Sequence, residues 1–230
     1  RVIRVPILLA SQKCPKSNLK LKGLENEHPR SPQFLQFPQI PNFYICPVMN
    51  NGRVILTQGR FALTLDRLCH QLIENHDDFA ATCLVGIQIG GVALANRIHQ
   101  RLLDITGIPH LEYGKLDITF YRDDFRHRDK PLRASVTEMN FLVENKNVLL
   151  VDDVLYTGRT VQAALTALQH YGRPKKVELL TLVDRRFNRE LPIEADYVGI
   201  QMDALDEAYV KVEWQEVEGE DRILMFPKKP

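Results

Sequence analysis

A chain of 230 residues with 44% hydrophobic and 26% charged side chains and a net charge of +1 has the make-up of a folded domain, too apolar for a disordered tail and too evenly charged to hold nucleic acid by charge alone. No apolar run approaches the ~20 residues that cross a bilayer, so a soluble protein without membrane partners is expected. Cys14, Cys46, Cys69 and Cys83 form no CxxC pair, which argues against zinc-ribbon and disulfide-framework classes; reduced thiols in the cytoplasm fit best, with Cys69 and Cys83 as small core residues.

Residues 1–48 differ from the rest. They hold seven of the 13 prolines and seven Lys or Arg against two Glu, a surplus of +5 that leaves −4 for residues 49–230. No helical or strand period runs through them. The first methionine is Met49, and well-patterned sequence follows it. The division expected is a Pro-rich basic extension over 1–48, disordered or upstream of a natural start at Met49, and one domain over 49–230. VPILLA, after Arg1 and Arg4, is too short for an export signal and carries Pro6.

From Arg53 the elements come in order. Arg53–Leu56 reads as a lead strand. Thr57 opens a helix on which Phe61, Leu65, Leu68, Leu72 and Ile73 recur at helical spacing, and His70 rides on it without a role. Thr82–Ile87 reads as a buried strand, followed by Gln88, Ile89, Gly90 and Gly91 and a helix through about Leu103. Tyr113–Tyr121 alternates as a strand with Leu116, Ile118 and Phe120 on one side, and runs into YRDD at 121–124. The polar stretch through Asn140 reads as a loop that could close over a substrate. Beyond residue 148 a helix is expected over Thr160–Tyr171 and a strand over Val177–Asp184. An irregular segment with Arg185, Arg186 and Arg189 follows, then short strands at Tyr197–Ile200, Tyr209–Trp214 and Ile223–Phe226. This alternation predicts an α/β fold with a mostly parallel central sheet and right-handed crossovers.

The richest segment is VLLVDDVLYTGRT, residues 148–160. Four apolar residues suit a strand buried on both faces, and ligands bind beyond the carboxyl ends of such strands. Asp152 and Asp153 then lie at the mouth, where carboxylates accept hydrogen bonds from vicinal sugar hydroxyls. Thr157, Gly158, Arg159 and Thr160 bring hydroxyls, backbone N–H groups and a helix N-terminus to a phosphate. A sugar diol and its phosphate would be gripped side by side. The corners after Ile87, Tyr121 and Val151 all lie at strand ends, so folding could bring them to one rim.

This run closely resembles the phosphoribosyl pyrophosphate loop of type I phosphoribosyltransferases. Together with DITFYRDD at 117–124 and RELPIEADYVG at 189–199, it is similar to the family of uracil phosphoribosyltransferases that doubles as the pyrimidine operon attenuator, over about residues 54–214. The resemblance implies the type I fold, a central sheet flanked by helices with a small hood, and transfer from phosphoribosyl pyrophosphate to uracil, giving UMP and pyrophosphate. It implies that Asp152 and Asp153 hold the ribose hydroxyls and serve Mg2+, the expected cofactor, and that Tyr156–Thr160 cradle the 5-phosphate. It also implies pyrophosphate contacts from Gly90, Gly91, Arg122, Asp123 and Asp124, with Arg122 joining the two aspartates in catalysis. Tyr197 would stack on the base while the Val198 backbone meets its edge. A homodimer or larger assembly is expected. Purine enzymes of this type carry an acid where Tyr156 stands, and a phenol with pKa near ~10 is a poor base, so pyrimidine is favoured over a purine phosphoribosyltransferase. Two departures matter. Ile89-Gly90-Gly91 replaces the family's cationic corner, and Glu194 and Ile200 stand where the attenuators are often basic, so a UMP-responsive RNA regulator ranks below the enzyme.

Overall fold

The computed structural model describes residues 52–123, 134–204 and 208–228. The extension over 1–48, Met49 and Asp124 lie outside the described residues.

Five strands form the parallel sheet that the alternation predicts. They are β2 (Thr82–Ile87), β3 (Glu112–Leu116), β4 (Asn147–Leu155), β5 (Lys176–Arg185) and β6 (Tyr197–Met202), in the order β3-β2-β4-β5-β6. All six residues of β2 and Val148–Val151 of β4 are buried, as continuous apolar runs require in a sheet covered on both faces. Strand alternation divides them between two cores. Leu84, Leu149, Val151, Leu180 and Leu182 pack with α1 (Gln58–His76) and α2 (Gly90–Thr106). Cys83, Val85, Ile87, Val148, Leu150 and Leu179 pack with α3 (Arg159–Leu168). Gly86 lets α2 approach the sheet, because a Cβ there would lie 2.9 Å from that of Ala95.

The remaining strands build a second, antiparallel sheet. The lead strand β1 (Arg53–Leu56) joins β8 (Arg222–Phe226), which pairs with β7 (Tyr209–Glu213). This is the small hood, and its N- and C-terminal strands meet only through tertiary pairing. Arg97 of α2 ties it down: its guanidinium lies 5.0 Å from the Trp214 ring centre and hydrogen-bonds Asp221 at 2.7 Å and Glu216 at 2.6 Å.

Three expected boundaries change. β3 stops at Leu116, and Thr119–Tyr121 form a 3-10 turn with Phe120 exposed. Asp117 is the cause: its carboxylate accepts the Thr119 N–H at 3.0 Å and hydroxyl at 2.6 Å, and the Ser135 N–H at 2.8 Å, turning the chain out of the sheet. β4 continues four residues beyond Val151, because β5 pairs with it through Leu155. The helix expected to reach Tyr171 changes to 3-10 geometry after Leu168.

Candidate active site

The end of β4 sets the geometry. β2 stops pairing at Val151, while β5 still pairs with Asp152, Val154 and Leu155. Asp152 and Asp153 therefore sit within the strand, beyond the end of its neighbour, and alternation sends their side chains to opposite sides. Asp152, buried, lines a cavity of about 420 Å³ together with Arg122, Asp123 and residues 154–161. Asp153 turns toward α2, where a Cβ added at Gly90 would collide with its carboxylate and one at Gly91 with the Val151 carbonyl. The glycine pair is thus a steric fit to the acid pair, which the sequence showed only as a missing cation. The corner after Ile87 and the corner after Val151 are one place.

The loop between β4 and α3 completes the cavity. Gly158 caps α3 at φ 93°, a left-handed conformation that favours glycine. The Thr157 hydroxyl accepts the Arg159 N–H at 3.4 Å. Arg159 pairs with Asp123 and, through Nε at 2.6 Å, with Glu190, so the YRDD corner meets the phosphate loop directly. Tyr156 lies on the rim with the Arg185 guanidinium 3.9 Å from its ring centre, a cation–π contact.

Electrostatics single out the acid pair. Burial, and then the charge of Asp153, push the Asp152 carboxyl well above the usual carboxylate range; the Asp153 N–H and the positive charge of Arg122 oppose the rise. Burial also raises Asp153, against hydrogen bonds that include the Val154 N–H at 2.8 Å. A buried carboxylate beside a second one favours a hydrogen-bond donor or a cation. Among the described residues no group of three or more His, Cys, Asp or Glu could hold a metal ion, so a cation here would touch few carboxylates and keep its waters, as Mg2+ does.

The base contact expected at Tyr197 and Val198 is corrected. Tyr197 opens β6, five residues before its carboxyl end, and is buried with its hydroxyl 3.4 Å from His76 Nε2 and 3.5 Å from Glu178 Oε1. The Val198 carbonyl accepts Arg67 Nη2 of α1 at 3.0 Å. Neither lines the cavity, because strand alternation sends the ring into the α1 core. Sequence reasoning also missed the segment behind the loop. Arg189 bonds the Tyr156 carbonyl and the Asp184 carboxylate, and the N–H groups of Glu190 and Leu191 donate to the Thr157 carbonyl at 3.0 and 3.2 Å. Glu190, adjacent to Arg189 and four residues after Arg186, was the available signal. Arg186, also noted for RNA, pairs with Asp203 at 2.5 Å. Cys69 and Cys83 are buried and free, their thiols pushed up to about 12 chiefly by burial, which leaves them inert.

An acid pair at the end of a central strand, a cavity lined by Asp152 and a glycine-hinged phosphate loop, and a glycine corner packed against Asp153 agree with what the comparisons find. The phosphoribosyl transferase domain model matches residues 53–216. The chain belongs to that family. A relative from Elusimicrobium minutum, named Bifunctional protein PyrR, is 42% identical over 165 residues, covering 72% of this chain and 91% of the relative. One of the same name from Bacillus mycoides is 39% identical over 184 residues, covering 78% and 100%. Among solved structures, a hypoxanthine phosphoribosyltransferase from Staphylococcus aureus superposes with TM-score 0.58 at 22% identity, over 77% of this chain and 92% of that one. The phosphoribosyltransferase carries the type I fold expected from its sequence, and none of its described helices is long and apolar enough to cross a membrane.

Proposed function

We propose that the chain transfers the phosphoribosyl group of phosphoribosyl pyrophosphate to N1 of uracil, giving UMP and pyrophosphate. The observation that carries this reading is the meeting of Asp152, Arg122 and the 156–160 loop around one cavity, with Gly90 against Asp153 beside it. The family resemblance of residues 117–124, 148–160 and 189–199 supports uracil as the base, as does Tyr156 in place of an acid.

In this reading the residues of the chain divide the work. Amides and hydroxyls of Thr157–Thr160 take the 5-phosphate at the N-terminus of α3. Asp152 accepts the ribose hydroxyls, and Asp153, wedged against Gly90, faces the corner where pyrophosphate departs. Arg122, close enough to act on the charge of Asp152, offsets the charge that grows on the leaving group; Gly90 and Gly91 let backbone N–H groups approach it. No side chain has to take a proton from the base early, so positioning dominates. A bound Mg2+, held through Asp152 and Asp153, would supply charge neutralisation for pyrophosphate and ribose oxygens.

Mixing the protein with phosphoribosyl pyrophosphate and uracil, adenine, hypoxanthine or orotate tests the assignment. Magnesium-dependent pyrophosphate release with uracil is expected; release with hypoxanthine instead would replace it with the purine reading. A second reading, UMP-responsive binding of RNA, rests on the word bifunctional in the relatives' name. It ranks lower because Arg189 and Arg186 are paired with Asp184 and Asp203, and salt-sensitive retardation of the operon's own leader RNA would raise it.

A further inference from the structure

The phosphate loop is held from behind by residues that the reaction scheme above does not use. Arg189 donates to the Tyr156 carbonyl with Nη1 and to the buried Asp184 carboxylate with Nη2. The next two N–H groups, of Glu190 and Leu191, converge on the Thr157 carbonyl at 3.0 and 3.2 Å. A trans peptide carries its C=O and N–H on opposite sides. Turning the carbonyls of Tyr156 and Thr157 toward 189–191 therefore aims the N–H groups of Thr157 and Gly158 the other way. On that other side lies the cavity, which is lined by the loop, Asp152 and Arg122 but not by Arg189, Glu190 or Leu191. The same wall limits the hinge, since a Cβ at Gly158 would lie 3.3 Å from Leu191 Cβ and Ile193 Cδ1.

We propose that Arg189 is a positioning residue for the 5-phosphate: by bridging Asp184 at the end of β5 to the Tyr156 carbonyl, it fixes the peptide orientation that presents loop amides to the anion. This rests on the reading of the cavity as a phosphoribosyl site. The planar guanidinium reaches two acceptors in a fixed fork, which a lysine ammonium does not reproduce. Arg189→Lys keeps a positive charge beside Asp184 and loses the fork. Arg189→Met removes both bonds.

Calorimetric titration of the full chain with ribose 5-phosphate and, separately, with pyrophosphate tests the bridge. R189K is expected to weaken ribose 5-phosphate binding about tenfold and R189M more, in line with loss of one charge-assisted hydrogen bond, while pyrophosphate binding stays within about twofold. KM for phosphoribosyl pyrophosphate should rise more than kcat falls. Unchanged ribose 5-phosphate affinity in the variants overturns the assignment, and so does parallel loss of both ligands, which general disorder would produce. Should R189M fail to fold, R189K alone decides. A wild-type protein that binds pyrophosphate but no ribose 5-phosphate refutes the phosphoribosyl reading itself, and with it the bridge.

Discussion

Two buried clusters of ionisable groups flank the central sheet, and they are solved in opposite ways. Toward the amino ends, Glu178 is paired across the sheet with Leu149 and accepts from His76 at 3.0 Å, Lys176 at 2.6 Å and Tyr197 at 3.5 Å, while the other His76 nitrogen meets Thr82 at 3.2 Å. Three residues further along β4, Asp152 lies buried beside Asp153, its charge opposed by burial and by that neighbour, while burial also opposes the charge of Asp153. The first cluster finds its partners within the chain. The second is incomplete, and what completes it is hydroxyl donors or a cation from outside. A buried charge that the fold leaves unneutralised marks a site better than burial or charge alone.

The sharpest break of this contrast is at the acid pair. Asp152→Asn should cut turnover about 10²–10³-fold in initial-rate assays while raising the melting temperature of the ligand-free protein. The sign follows from the raised carboxyl. A folded-state pKa above the unfolded one stabilises the protein below the unfolded value and loses that contribution as pH rises through the folded one, so above the ordinary carboxylate range the buried acid opposes folding. An asparagine that lowers the melting temperature would refute the strained-charge description. Removing Glu178 should do the reverse. Glu178→Ala is expected to cost about 1–3 kcal/mol in urea unfolding, as buried partners lose their acceptor, and to leave turnover of the folded fraction within about twofold.

The pH dependence separates the two clusters next. Burial lowers His76, against the pull of Glu178. A histidine lowered in the folded state is protonated first in the unfolded chain, so its contribution is present above the usual histidine range and declines as pH falls through it. Turnover should also fall on the acid side, beginning above the ordinary carboxylate range because Asp152 is raised, and Asp153→Asn should move that limb downward by removing a like charge. A limb that stays put would uncouple the pair. The smallest effect is expected at Tyr197→Phe: about 0.5–1 kcal/mol of stability and no change in KM for uracil. A large rise in KM would restore the base contact that the structure removes.

The parallel sheet was legible because VLLV, and CLVGI after Thr82, run without a charged residue, as strands covered on both faces require. The phosphate loop was legible for a related reason, since Thr157, Gly158 and Thr160 act through backbone and hydroxyl groups close together in sequence. The failures have one cause. Tyr197 and Phe120 were placed by strand pattern, yet Tyr197 ends on the side of distant partners, His76 and Glu178, and Phe120 is turned out by the Asp117 carboxylate, which bonds Thr119 beside it and the remote Ser135. Arg189 was noted only within an irregular segment and Glu190 was given no role, because Tyr156 and Arg159, which use them, lie some thirty residues earlier.

By itself the sequence determined the alternating α/β order, the identity of the anion loop and the presence of two adjacent acids, because each depends on neighbours within a dozen residues. Only the tertiary structure decided that those acids face opposite sides of one strand, that Gly90 is small because Asp153 needs the space, that YRDD meets the loop through Asp123 and Arg159, and that β1 closes a sheet with β8. The last three of these join segments from tens of residues to more than 150 residues apart, and the first needs the register of β4 against its neighbours, so the chain carries no local energy term that fixes them before the sheet has formed.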